Sequence, residues 1–366
     1  MLVEHGAEIN KENKDGSTPL IKTCEINNEN NVKYLVEHGA DINKEDRDGD
    51  TPLMKACDCE RNNENIVKYL VEHWAEINKE NKYGNSPLII ACKYGNENTV
   101  KYLVEHGENV NKENKNGDTP LIMACIYCNE NNVKYLIEHG ANIYKENKNG
   151  NIPLIMACRN HNENIVKYLV EHGADVNKEN KNGDTPLINA CERKNEDIVK
   201  YLVEHGADIN KEDRNGDTPL MKACDCERNN ENIVKYLVEH GADVNKENKD
   251  GDTPLIKACE KYNQNIIKYL IKHGADVNKM NKNGDTPLMK ARINDNKNEK
   301  RKENDYIPLI KEYIIRGKEN IEKYLIEHGV NVIINIKDKY GDTLSIIACL
   351  FVTNIFTFLF LLYYIF

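Results

Sequence analysis

Between Gly117 and Gly150 the apolar residues fall into two helical rhythms separated by polar breaks. Leu121, Ala124, Cys125 and Cys128 recur at i, i+3, i+4 and i+7, which marks one face of a helix. Thr119 can cap that helix with its hydroxyl, and Pro120 suits the first helical position, where no N–H is needed. "NEN" at 129–131 interrupts the pattern. A second helix then runs through Val133, Leu136 and Ile137 and stops at His139-Gly140, with Gly140 supplying the left-handed conformation of a C-cap. "ANIYKENKNG" follows as an extended hairpin, with Asn149-Gly150 at its tight turn. The unit is therefore helix, turn, helix, hairpin.

This unit repeats. The glycine before each Thr-Pro-Leu, or its variant, falls at Gly16, Gly49, Gly84, Gly117, Gly150, Gly183, Gly216, Gly251 and Gly284, at intervals of 33 or 35 residues. A sustained period near 33 predicts a solenoid of stacked units, each burying its apolar face against its neighbours. All ten prolines occupy one slot of the repeat, counting Pro308 in "YIPLI".

A unit reading "GDTPLIKAC…NIVKYLVEHGADVN" resembles the ankyrin repeat, in its Thr-Pro-Leu start, its alanine-pair position and its Gly-Ala-Asp-Val-Asn exit. The resemblance runs from residue 1 to about 348. Two departures are regular: the family's histidine after Thr-Pro-Leu is Ile or Met here, and the second alanine of the pair is Cys. The resemblance implies an all-α repeat solenoid of stacked helix-turn-helix units with β-hairpin loops. It further implies a curved stack whose hairpin tips and first helices line the concave side and bind protein partners. The expected organisation is a partial repeat at 1–15, eight repeats at 16–283, a degenerate repeat with a charged loop at 284–305, divergent repeats at 306–348 and an apolar tail at 349–366.

Composition narrows the function. Charged residues make up 30% of the 366 and the net charge is −10, with both signs interspersed. Phosphate backbones call for a concentrated basic face, so nucleic acid is not an expected partner. The opening "MLVEHGAEIN" is no signal peptide. It matches the second-helix segment Leu202–Asn210, so the first unit lacks its first helix.

Candidate chemistry mostly dissolves into the repeat. Ten of the eleven histidines precede the helix-ending residue, where a cation suits the C-terminal dipole; His161 is the exception. Copies a full repeat apart cannot converge on one metal. Nine cysteines (Cys24, Cys57, Cys92, Cys125, Cys158, Cys191, Cys224, Cys259 and Cys349) take the buried alanine-pair slot, where a reduced thiol acts as a small hydrophobe. Cys125 and Cys128 form a lone C-x-x-C with no second pair, a weak zinc signal. Cys59 and Cys226 point toward the exposed helix face. No nucleophile elbow or phosphate-cradling glycine loop is present. The expectation is a non-enzymatic scaffold with no cofactor; the alternative is a substrate-recruiting adaptor of a larger complex such as a ubiquitin ligase.

Irregular positions refine this picture. Residues 44–73 and 211–240 differ only at Asp48 versus Asn215, as a copied block would. Trp74 stands where the other units end the second helix with glycine, and a bulky residue at positive φ is strained. "NDNKNEKRKEN" at 294–304 breaks the period and reads as a charged loop. Residues 346–366 carry no charge and as a helix would reach about 30 Å, enough to cross a bilayer core. Lys337 and Lys339 flank the segment as a cytosolic side would. A cytoplasmic array with a C-terminal membrane anchor is thus one expectation, and a frameshift product an equal alternative. Along the first helices, one slot reads Lys22, Lys55, Ile90, Met123, Met156, Asn189, Lys222, Lys257 and Lys290. With Tyr94, Ile126 and Tyr127 nearby, Ile90, Met123 and Met156 form the expected partner-binding patch, although filling of gaps between helices would also explain them.

Overall fold

The computed structural model describes residues 6–58, 63–226, 230–261, 263–287 and 289–290, together with the backbone of 332–337 and 343–348. Two compact units divide the chain, 1–207 and 208–366.

The first unit stacks six helix pairs: α1 (Pro19–Glu25) with α2 (Glu29–Glu37), α3 (Pro52–Cys57) with α4 (Glu64–Glu72), and α5 (Pro87–Tyr94) with α6 (Glu97–Glu105). These are followed by α7 (Pro120–Ile126) with α8 (Glu130–Glu138), α9 (Pro153–Arg159) with α10 (Glu163–Glu171), and α11 (Pro186–Glu192) with α12 (Glu196–Glu204). First helices pack on first helices and second on second. Each first helix begins at its proline, and the preceding hydroxyl caps it: Thr119 Oγ1 accepts from the Ile122 amide at 3.2 Å. Ile152 takes the capping position of α9 and provides no such bond. Second helices end at histidine, followed by glycine at positive φ, as at Gly140 (φ 86°).

The core follows the repeat. Leu121, Ile122, Ala124 and Cys125 are fully buried, as are Val133 and Leu136. The two regular departures both lie inside: Ile or Met replaces histidine at a sealed position, and each described alanine-pair cysteine is buried. Burial pushes the Cys125 and Cys158 thiols well above the ordinary range, which disfavours the thiolate. Cys128 corrects the helical spacing. It is exposed, at φ 59°, because α7 ends at Ile126 before a fourth apolar contact can form.

The expected hairpins appear as tight turns without strand ladders among the described residues. Asn114 donates its amide to Asp118 O (3.0 Å) and Gly117 donates to Asn114 O (2.8 Å). Each turn is stitched to the next: Lys82 N–H donates to Asp48 O (2.9 Å), Lys115 to Tyr83 O (2.9 Å) and Lys148 to Asn116 O (2.8 Å). A Cβ on Gly84 would lie 2.7 Å from the Lys115 amide nitrogen, so this glycine is required by contact as well as by its φ of 75°.

The second unit carries α13 (Pro219–Cys224) with α14 (Glu231–Glu239) and α15 (Pro254–Glu260) with α16 (Gln264–Lys272), built on the same rules. Beyond them β1 (Val332–Lys337) pairs antiparallel with β2 (Thr343–Ala348), Val332 opposite Ala348 and Lys337 opposite Thr343. Divergent repeats were expected across 306–348, and the strand pair lies within that range. "VIINIK" and "TLSIIA" are rich in β-branched residues, and "GDTLS" lacks the proline that starts every other first helix. The charged loop 294–304, Cys59, Cys349 and tail residues 349–366 lie outside the described residues.

Candidate partner-binding site

The turns carry a side-chain ladder. Asn81 Nδ2 donates to Asp50 Oδ1 (2.7 Å), Asn114 to Asn85 Oδ1 (2.9 Å), Asn147 to Asp118 Oδ1 (2.8 Å) and Asn180 to Asn151 Oδ1 (2.9 Å). The same asparagines accept from the amides of their own turn, as Asn114 Oδ1 does from Asn116 and Asp118. The asparagine of "KEN" in these turns is therefore a structural strut. The neighbouring charges pair between repeats: Lys145 with Glu113 at 2.6 Å, Lys178 with Glu146 at 2.7 Å, and Lys112 with Glu80.

The first-helix slot is set by these turns. Where it holds lysine behind a turn aspartate, the ammonium folds back onto that aspartate, whereas Lys22, whose turn carries Ser17, pairs with Glu25. Lys55 Nζ lies 2.6 Å from Asp50 Oδ2 and 3.1 Å from Asp46 Oδ2. Burial opposes the charge on Lys55, but the two carboxylates outweigh it and hold the ammonium protonated well above the ordinary range. In the second unit Lys222 does the same with Asp217 (2.9 Å) and Asp213 (2.8 Å).

The six residues expected to bind a partner lie on α5, α7 and α9 or their ends. Met123, Met156 and Ile126 are half-buried, and Tyr127 is 45% exposed. Ile90, by contrast, is buried, at 8% exposed. Helix α5 packs between α3 and α7, and a short branched side chain stays below the rim that longer ones reach. Tyr94 is half-buried and engaged: its hydroxyl accepts from Lys93 Nζ at 2.9 Å, and the ammonium lies 4.6 Å from the ring centroid. Tyr127 and the two methionines are what this face offers.

A family model for ankyrin repeats, in sets of three copies, matches residues 1–81, 58–147, 106–180, 154–248 and 226–300. The chain belongs to the ankyrin repeat family. The ankyrin match ends at residue 300, short of the resemblance expected to about 348 and short of the strand pair. A comparison with curated proteins gave no match. Ankyrin repeats are protein-interaction modules, generally without enzymatic activity, and mark this chain as a protein-binding scaffold.

The remaining sequence candidates take structural places in the ankyrin array. Eight histidines stack on the tyrosine four residues earlier, as His139 does on Tyr135 with ring centroids 3.9 Å apart. Each also donates from Nδ1 to that tyrosine's carbonyl, at 2.7 Å for His106. The Tyr-x-x-x-His spacing was visible in the sequence, yet position alone does not reveal the ring stacking. Cys226 is half-buried, its thiol on Lys222 O at 3.4 Å. Among the described residues no group of three or more His, Cys, Asp or Glu could hold a metal.

Sequence reasoning missed Glu108. It replaces the alanine that follows the helix-ending glycine elsewhere and is 4% exposed. Its Oε1 accepts from the Leu88 amide at 2.9 Å, its buried Oε2 has no hydrogen-bond partner among the described residues, and Ser86 stands nearby in a threonine slot. Burial pushes its carboxyl up to about 8, against the opposing pull of Ser86, the Leu88 amide and Lys112. The two substitutions, Ser86 and Glu108, fall in one repeat, and that coincidence was the available signal.

Proposed function

We propose that this ankyrin array binds a protein partner across the first-helix side of α5, α7 and α9. One observation carries the reading. In these three repeats the slot is apolar (Ile90, Met123, Met156), whereas elsewhere it holds Lys22, Asn189 and the four lysines Lys55, Lys222, Lys257 and Lys290 that are held by their own turns. Tyr127 adds an exposed aromatic to the same face, and such side chains commonly dominate binding energy. The test is Tyr127→Ala in a complex with a co-purified partner. Affinity should fall by about 2 kcal/mol or more with little change in melting temperature. Unchanged affinity would move the binding site elsewhere on the array.

Membrane tethering by the tail is a second, separate proposal, resting on the uncharged run and its lysine flank. Strand β2 already contains Ile346–Ala348, so the span would be 349–366, about 27 Å as a helix. Among the described residues no helix is long and apolar enough to cross a membrane. Carbonate-washed fractions of the full chain and of a chain ending at Lys339 should differ if the anchor operates, and equal extraction would refute it. The adaptor reading adds a docking segment for a larger complex, which no described element supplies. A cytoplasmic location fits either proposal, with the reduced buried cysteines in support.

A further inference from the structure

Among the described residues six turns place an aspartate directly after the glycine: Asp50, Asp118, Asp184, Asp217, Asp252 and Asp285. In Asp50, Asp217 and Asp252 one carboxylate oxygen serves the asparagine ladder and the other takes a cation. Asp217 accepts from Asn248 at 2.7 Å and pairs through Oδ2 with Lys222 at 2.9 Å. Asp252 accepts from Asn281 at 2.8 Å and pairs with Lys257 at 3.0 Å. Asp50 pairs with Lys55 and Asp285 with Lys290, the latter at 3.3 Å. Asp184 is followed by Asn189 in the slot, and there Arg159 of the preceding repeat reaches it at 3.5 Å while donating to Asn189 Oδ1 at 2.6 Å.

Asp118 is different. Its Oδ1 accepts from Asn147, as the ladder requires. The slot residue five positions on is Met123, which has no charge to offer. Among the described residues no lysine or arginine pairs with it. The counterpart of Arg159 in the preceding repeat is Lys93, and that ammonium is turned to the Tyr94 hydroxyl and ring. The turns on either side carry neutral Asn85 and Asn151. Asp118 is 8% exposed, so its charge is less screened than a surface carboxylate and the missing cation matters more.

We propose that Asp118 is the seat for a basic side chain, arginine or lysine, of the protein partner, entering across Met123. This rests on the scaffold reading above and specifies its chemistry. The other repeats supply the template, since a cation at the slot lies 2.6–3.0 Å from the aspartate's Oδ2 in Lys55, Lys222 and Lys257. Methionine suits the entrance. Its unbranched thioether can turn aside and then lie along the aliphatic stem of the incoming residue. Charge complementarity at this one turn would fix the register of a partner whose apolar side chains meet Met156 and Tyr127.

The experiment presents the full chain with immobilised nonapeptides of randomised apolar flanks and a fixed central residue: arginine, lysine, citrulline or glutamine. Arginine- and lysine-centred peptides should bind at least about tenfold better than citrulline-centred ones, the scale of one charge-assisted pair. Asp118→Asn should abolish that preference. Met123→Lys should abolish it too, by restoring the internal pair, and should melt no lower than the native chain. Indifference to central charge, a preference that survives both variants, or no peptide binding at all would overturn the proposal. A natural partner whose affinity ignores Asp118→Asn would overturn it while leaving the scaffold reading intact. An array that binds no protein would end both.

Discussion

Glu108 shows how one substitution sets a pH dependence for the whole fold. Its neutral form is favoured by burial in the folded chain, with a value of about 8 against 4.5 for a free carboxyl. Between those values the unfolded chain gives up the proton and the folded chain keeps it. The unfolded state therefore binds fewer protons and stability falls as pH rises, with no contribution below about 4.5 and no further loss above about 8. The loss across the window is on the order of a few kcal/mol. Urea unfolding at pH 5 and at pH 7.5 should show it, and Glu108→Gln should flatten the difference and stabilise the chain at pH 7.5. An unchanged slope in the variant would mean that Glu108 ionises freely in the fold. This residue was not legible from its type, because an exposed glutamate is the ordinary case. It became visible only when the Leu88 amide and Ser86 were seen to enclose it.

At the scale of elements, the helix starts and stops were written plainly in the sequence. Thr-Pro fixes most first-helix starts, with Ser86 and Ile152 the exceptions, and His-Gly ends the second helices except at Trp74, because capping chemistry is local. The end of α7 and the strand pair were less legible. An i+7 spacing cannot tell whether a helix persists for two turns, and "TLSIIA" keeps the repeat's apolar content while losing its proline. The two glycine classes are also unlike in space. A Cβ at Gly107 or Gly140 would meet nothing within 4 Å, whereas one at Gly150 would lie 2.7 Å from the Lys181 amide nitrogen. That contrast explains why a tryptophan can occupy the helix-ending position at residue 74. The ring projects into solvent, 87% exposed, and the cost is confined to its φ of 71°. Trp74→Gly should then raise stability by about 1 kcal/mol, the penalty of the left-handed region for a side chain. A thermal melt showing a loss would mean the ring contributes contacts that outweigh the strain.

Across the molecule, stability in a stack is a sum of repeats and the interfaces between them, so weak seams are local. One lies along α6, α8 and α10. Ile66, Ile165 and Ile198 are buried where the intervening repeats carry Thr99 and Asn132. Thr99 Oγ1 and both polar atoms of the Asn132 amide are sealed without hydrogen-bond partners. Each such group costs about 1–3 kcal/mol. Hydrogen exchange should find α8 opening more readily than α10, and Asn132→Ile should slow α8 exchange roughly tenfold or more while leaving α1 unaffected. Equal protection in the native chain would contradict the weak seam. The turn-to-turn stitching has a different consequence. Those bonds join main-chain atoms, so the side chains of the residues whose carbonyls accept, Asp48, Tyr83 and Asn116, are not chosen by the stitching. Their side chains form a row of letters that can be rewritten one at a time without disturbing the page, and a lineage that copies whole repeats, as 44–73 and 211–240 suggest, gains new blank positions with every copy.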